Sequence, residues 1–196
     1  MKTKILKVKG DWLEVLNDCR ATVGKDARDK DPSTEFKKKI LIAEHSPIRD
    51  IIIKWAWKDI KSWISVHFVR GKYEKFVRTQ RDDRTGVPRD DLPQGSLVDM
   101  TMELNVQHLI DTSRKRLCRQ SHPETRAYME DIKKKIHEVE PEIADVMVPN
   151  CIYRGCACPE IQKCGFIDSF IKKHGIIAPI QDRYDTYNQD FYGEDN

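Results

Sequence analysis

Arg116-Leu-Cys-Arg119-Gln-Ser-His122-Pro-Glu124-Thr-Arg126 is a dense run of cations and amides set between two amphipathic helical patterns. Asn105 lies eleven residues before Arg116, in the same helical pattern. Arginines at this density suit a phosphate or a planar heterocycle, because guanidinium presents fixed donors in a fork. Taken singly, each arginine also reads as a surface ion pair with a neighbouring acid.

Working outward, Leu97 to Arg116 and Pro123 to Val139 predict two long helices, the second broken by Pro141. Ile143 to Met147 predicts a short helix, and Ile167 to Lys173 a last one. Before the run, Arg70 to Gln94 reads as a polar loop, long for a structureless connection and therefore a candidate for function. Ile60 to Phe68 has helical spacing, while Ile51, Ile53, Trp55 and Trp57 alternate as a strand with one apolar face. Asp31-Pro32 opens a helix that ends at Pro47. Asp11 to Asp18 predicts a short helix and Ile5 to Val8 a first strand. The segment 180–196 is acidic and tyrosine-rich and reads as a mobile tail behind a single domain spanning 1–179. Trp55, Trp57 and Trp63 are expected in the core, and His137 and His174 in solvent.

The totals set bounds. A chain of 196 residues suits one domain with a real core. A net charge of +3 gives no support to a nucleic-acid binder. No apolar run approaches the ~18 residues of a membrane span. A cytoplasmic protein is the expectation, in which the six cysteines read as thiols or metal ligands before disulfides.

Four blocks then fall in order: His45-Ser46-Pro47 ahead of a strand, His67-Phe68-Val69-Arg70 at a helix end, Arg89-Asp-Asp-Leu92-Pro93, and Asn105 with Arg116 and Glu124. In their order and spacing these resemble the blocks of the flavin-dependent thymidylate synthases (ThyX), over roughly residues 12 to 165. The resemblance implies an α+β fold, a mixed or antiparallel sheet packed with long helices, and a homotetramer whose active sites are shared between subunits. It implies FAD as cofactor and dUMP as substrate. Methylenetetrahydrofolate and NADPH are the implied co-substrates of a methyl transfer to C5 of uracil, without a cysteine nucleophile. Arg116 would bind the uracil ring and carry catalysis. Arg89 would contact the nucleotide, Arg70 would stand near its phosphate, and His67 takes the place of a glutamine that contacts it. Ser46 and Asn105 would contact FAD, with Arg70 and Lys72 in the flavin motif.

This sequence departs from that motif, Arg-His-Arg-x7-Ser, by reading Arg70-Gly71-Lys72 and then Gln80, which the resemblance places among the nucleotide-binding candidates. A two-residue deletion would instead bring Arg81 to the phosphate. Lysine keeps the charge of an arginine and loses its planar fork. On this basis Gly71→His is expected to raise flavin occupancy where the rest of the site is intact. The helical insert that precedes the Arg89 block in the family is also missing. Two functions stay open: a thymidylate synthase-like enzyme, or one acting on another pyrimidine deoxynucleotide; and a protein that binds such a nucleotide without flavin chemistry.

Cys151, Cys156, Cys158 and Cys164 place four thiols within 14 residues. Zinc takes four soft ligands in a tetrahedron, so this is a candidate metal set. The spacing lacks paired Cys-x2-Cys units, and buried or redox-inert thiols are the alternative. Cys118 reads as core.

Overall fold

The computed structural model describes residues 3–69, 71 and 73–193. Four strands, β1 (Thr3–Lys9), β2 (Ile52–Lys61), β3 (Glu74–Val77) and β4 (Leu97–Asn105), form one antiparallel sheet in the order β1-β2-β4-β3. The helices are α1 (Trp12–Ala21), α2 (Thr34–Ile42), α3 (Ser62–Phe68), α4 (Asp82–Thr85), α5 (Val106–Arg116), α6 (Pro123–His137), α7 (Pro141–Asp145), α8 (Asn150–Tyr153), α9 (Phe166–His174) and α10 (Ile180–Gly193). Short 3-10 turns cover Ser46–Asp50 and Arg89–Asp91. No helix among the described residues is long and apolar enough to cross a membrane.

The core lies on one face of the sheet. Alternate residues Ile53, Trp55 and Trp57 of β2 are buried, and they pair across the ladder with Leu104, Met102 and Met100 of β4. An irregularity follows Trp57, with Asp59 at φ 54° and its N–H donating to Asp99 Oδ1 at 3.2 Å. The shift returns Ile60 to the buried face, opposite Val98. Trp57 then meets Phe68 of α3 at 4.8 Å and Tyr128 of α6 at 5.5 Å between ring centroids, which fixes both helices on the sheet.

Three expectations are corrected. Leu97 to Arg116 is not one helix. Val98, Met100, Met102 and Leu104 bury every second side chain, the period of a strand. Asn105 then ends the strand and starts α5, its Oδ1 accepting the His108 N–H at 2.9 Å. The polar loop 70–94 contains β3, which extends the sheet beyond β4. Residues 180–193 are a packed helix, not a mobile tail. In α10, Tyr184, Tyr187 and Asn188 are buried, and Arg183 donates to the carbonyls of Ile152 and Ile177 at 2.6 and 2.8 Å.

The anchor of α10 is Lys133 of α6, which has no exposed surface. Its ammonium donates to the Ala144 carbonyl at 2.6 Å and to Asn188 Oδ1 at 2.7 Å. The rings of Tyr187, Phe191 and Tyr192 stand 5.7, 5.2 and 5.3 Å from it. Burial lowers the Lys133 pKa to about 7, against the pull of Asp145. His174 is not simply solvated, since its Nε2 hydrogen-bonds Asp190 Oδ2 at 2.8 Å. Exposed His137 lays its ring 4.5 Å from Tyr192.

Candidate functional site

One helical face builds the floor of a cleft of about 390 Å3. His108, Asp111, Thr112 and Lys115 recur at i, i+3, i+4 and i+7 on α5, and Arg116 adjoins them. The wall comes from His67 at the end of α3, then Gly71 and Tyr73 ahead of β3. The volume falls within the ~300–1,000 Å3 usual for small-molecule sites.

The cleft is held from behind. Arg116 donates a guanidinium N–H to the His67 carbonyl. The His67 ring shares a 2.7 Å hydrogen bond with Thr125 Oγ1 of α6. Trp63, expected in the core, packs against it half-buried and also meets His67 and His122 edge-on at 5.5 and 4.6 Å. Tyr73 donates to the Phe68 carbonyl at 2.6 Å, meets the Thr112 side chain, and feels the charge of Arg116. Burial raises the Tyr73 pKa despite that charge, so the phenol stays protonated at neutral pH. Lys115 and Arg116 close the C-terminal end of α5, where the helix dipole favours cations. An anion entering here would be drawn by side chains alone.

The arginine run does not act as one surface. Arg114 is structural: it pairs with Glu44 and Asp111 and lies 3.5 Å from the ring centroid of Tyr153. Arg119 and Arg126 face a different groove, with Arg119 over Phe166 at 4.7 Å and Arg126 bonded to Glu130 at 3.1 Å. His122 caps α6, and Glu124 pairs with Lys61 at 2.7 Å. Of the run, Arg116 is the residue that lines the cleft.

Of the residues expected to bind the nucleotide, His67 and Arg116 are brought together in the cleft. Gln80, Arg81 and Arg89 do not line it. Gln80 accepts a 3.4 Å hydrogen bond from Ser62, Arg81 is exposed and bidentate to Asp83 at 2.9 and 3.2 Å, and exposed Arg89 donates its backbone N–H to Asp82. Arg70 and Lys72 lie outside the described residues. Ser46 is exposed in a 3-10 turn that packs on β4 and α5, at the same end of the sheet as Asn105. Asn105 Oδ1 is committed to the α5 cap, which leaves its amide NH2 as the donor end.

The sequence reading missed Tyr73, His108, Thr112 and Lys115. For the three on α5 the signal was present: once the helix begins at Val106, His108, Thr112 and Lys115 recur at i, i+4 and i+7 and fall on one face.

The cysteines regroup. Cys118, Cys151, Cys158 and Cys164 line one small cavity, and Cys156 does not. All six cysteines are free thiols. Burial first, and the neighbouring thiols after it, push Cys151 up to about 12. Among the described residues no three His, Cys, Asp or Glu side chains stand as a ready metal site.

The fold has a counterpart. It is similar to the crystal structure of a UMP/dUMP methylase, PolB from Streptomyces cacaoi, bound with 5-Br dUMP. The two share a TM-score of 0.59 at 12% identity, over 91% of this chain and 97% of the other. No protein-family model and no curated protein sequence matches the chain. The likeness is one of fold: a single α+β domain with an antiparallel sheet, as the sequence blocks implied.

Proposed function

We propose that the chain is a pyrimidine-deoxynucleotide enzyme of the flavin-dependent thymidylate synthase type, which binds dUMP in the cleft of Arg116 and transfers a one-carbon unit to C5 of its uracil. The observation that carries this is the placement of Arg116, with Lys115, His67 and Tyr73, in one cleft of a fold similar to that of a protein solved with a dUMP analogue.

The chain's own groups suit the chemistry. C5 must act as a nucleophile toward the one-carbon unit and later lose its proton, and a guanidinium held by the His67 carbonyl is a preorganised donor for the negative charge that the activated, enolate-like uracil carries on its carbonyl and ring nitrogen. The protonated Tyr73 phenol adds a neutral donor beside Arg116. Lys115 supplies a second cation for the dianionic phosphate. FAD, where bound, supplies the redox and one-carbon relay of the reaction, with NADPH and methylenetetrahydrofolate as co-substrates. Ser46 and the Asn105 amide are the groups at hand to hold it. Arg81 and Arg89, exposed and off the cleft of their own chain, are the residues a neighbouring subunit in a homotetramer would supply.

A second reading rests on Tyr73, whose ring fills the space beside Gly71 where the flavin motif carries a histidine. It is a protein that binds the nucleotide without flavin chemistry. Calorimetry with dUMP, then flavin absorbance after FAD loading and desalting with dUMP present, separates the two. Binding of both supports the enzyme. Binding of dUMP with a colourless protein supports the second reading, and failure to bind dUMP overturns both.

A further inference from the structure

We propose that Cys118, Cys151, Cys158 and Cys164 form a structural zinc site that pins the 154–165 loop against the end of α5 and the start of α8. The argument is independent of the nucleotide cleft.

Three segments distant in sequence bring these thiols together. Cys118 lies two residues past the end of α5, Cys151 in the first turn of α8, and Cys158 and Cys164 on the loop between α8 and α9. All four line a cavity of about 10 Å3, the room of a single ion. Cys118 and Cys151 are each within electrostatic reach of both Cys158 and Cys164. Cys156 lies within the same loop yet outside this cavity, so the set differs from the one that spacing alone selects.

The loop itself needs an anchor. Residues 154–165 contain no helix or strand, and Ile161 is fully exposed at 103%. Its tie to the turn after α5 is the Gln120 side chain, donating to the Gln162 carbonyl at 2.7 Å. A loop of this length with so little apolar burial is poorly held by packing. Four metal–sulfur bonds, two of them to the buried thiols Cys118 and Cys151, would replace the missing core, as structural zinc does in small domains.

The surroundings suit the charge. Four thiolates around a divalent cation carry a net double negative charge, and Arg119 and Lys163 line the same cavity. The four cysteines line the cavity, and among the described residues no three candidate ligands yet stand close enough together to hold an ion. Binding therefore draws half-buried Cys158 and exposed Cys164 inward. Four thiols each exchange a proton for a metal bond, and the protons leave to solvent with no change of oxidation state.

The test begins with elemental analysis of protein purified without chelator. About one zinc per chain is expected, falling below about a tenth in Cys158→Ser and Cys164→Ser while Cys156→Ser and Cys19→Ser retain it. Serine variants of buried Cys118 and Cys151 can fail to fold, so wild-type protein is also stripped and titrated with Co2+. A tetrahedral spectrum with the charge-transfer intensity of four thiolates is expected, reduced to that of three in Cys164→Ser. Absence of zinc together with no such Co2+ spectrum overturns the proposal. So does loss of metal in Cys156→Ser, which would return the site to the contiguous loop thiols.

Discussion

The ring of Tyr73 occupies the space that a side chain on Gly71 would need. A Cβ at Gly71 would lie 1.6 Å from Tyr73 Cε1 and 2.3 Å from its Cζ, far inside contact distance. This reverses the expectation that histidine at position 71 would improve flavin binding, because any side chain there must first evict Tyr73 from the cleft. Gly71→Ala is expected to lower stability by about 1–3 kcal/mol through overpacking. The same substitution in a Tyr73→Ala background should be nearly neutral. Urea denaturation of the four proteins in this cycle measures the coupling. Equal effects in the two backgrounds would show that the ring does not hold the position. Gly71→His is expected to reduce dUMP affinity and to leave flavin occupancy no higher than wild type.

Arg116 and Arg114 should separate function from structure although they are two residues apart. Arg116→Ala removes a charged donor from the cleft and is expected to weaken dUMP binding by about 1.5–3 kcal/mol, or roughly 10- to 150-fold. Arg114→Ala leaves Glu44 without its cation, with the Gln107 amide still donating to it at 2.7 Å, and uncovers Tyr153. It should lower the unfolding midpoint while the folded fraction binds dUMP normally. Calorimetry beside denaturation distinguishes them, and unchanged affinity in Arg116→Ala would remove the residue from the site.

Lys133 gives a pH dependence with a definite sign. Its folded pKa is depressed to about 7 from an ordinary 10.5, so between these values the unfolded chain binds the additional proton. Stability should therefore rise with pH across that window, by at most about 1.4 kcal/mol per pH unit from this group, and show no contribution from it well below pH 7. Lys133→Met should abolish this slope. It would also leave the Ala144 carbonyl and Asn188 Oδ1 without their donor. Denaturant midpoints at several values between pH 6.5 and about 9.5, for wild type and variant, measure the difference. Parallel slopes would show that Lys133 keeps its proton in the folded chain as it does in the unfolded one.

Arg89 is exposed and does not line the cleft of its own chain. If a neighbouring subunit receives it, Arg89→Ala should weaken dUMP binding severalfold, and the binding-competent species should weigh a multiple of 23.0 kDa. Light scattering at micromolar concentration with and without dUMP tests this. A monomer that binds dUMP with full affinity would remove Arg89 and the shared site together.

Local chemistry was legible in the chain. The alternation around Trp55 and Trp57, the helical spacing of Ile60 to Phe68 and the proline-led start of α6 each follow from side-chain period and φ restriction. Strand and helix are written there in nearest neighbours. The ordered blocks from His45 to Glu124 pointed to the fold, and the antiparallel sheet bears that out. What failed locally was Leu97 to Asn105. Its buried methionines alternate, yet they join without a break to helical spacing after Val106, and the Asn105 cap is what separates the two.

Partnership across the chain was decided only by the tertiary structure. Spacing grouped Arg116 with Arg119 and Arg126, but the turn after α5 sends them to different grooves. Spacing grouped Cys156 with three other thiols, but packing replaces it with Cys118 from forty residues away or nearly so. The acidic tail looked mobile because its tyrosines show no partner in sequence. Their partner is Lys133, a cation whose burial is tolerable only when three rings, one carbonyl and one amide oxygen arrive from elsewhere in the chain. Periodicity records which face of a segment is apolar, and it carries no record of which distant segment will cover it.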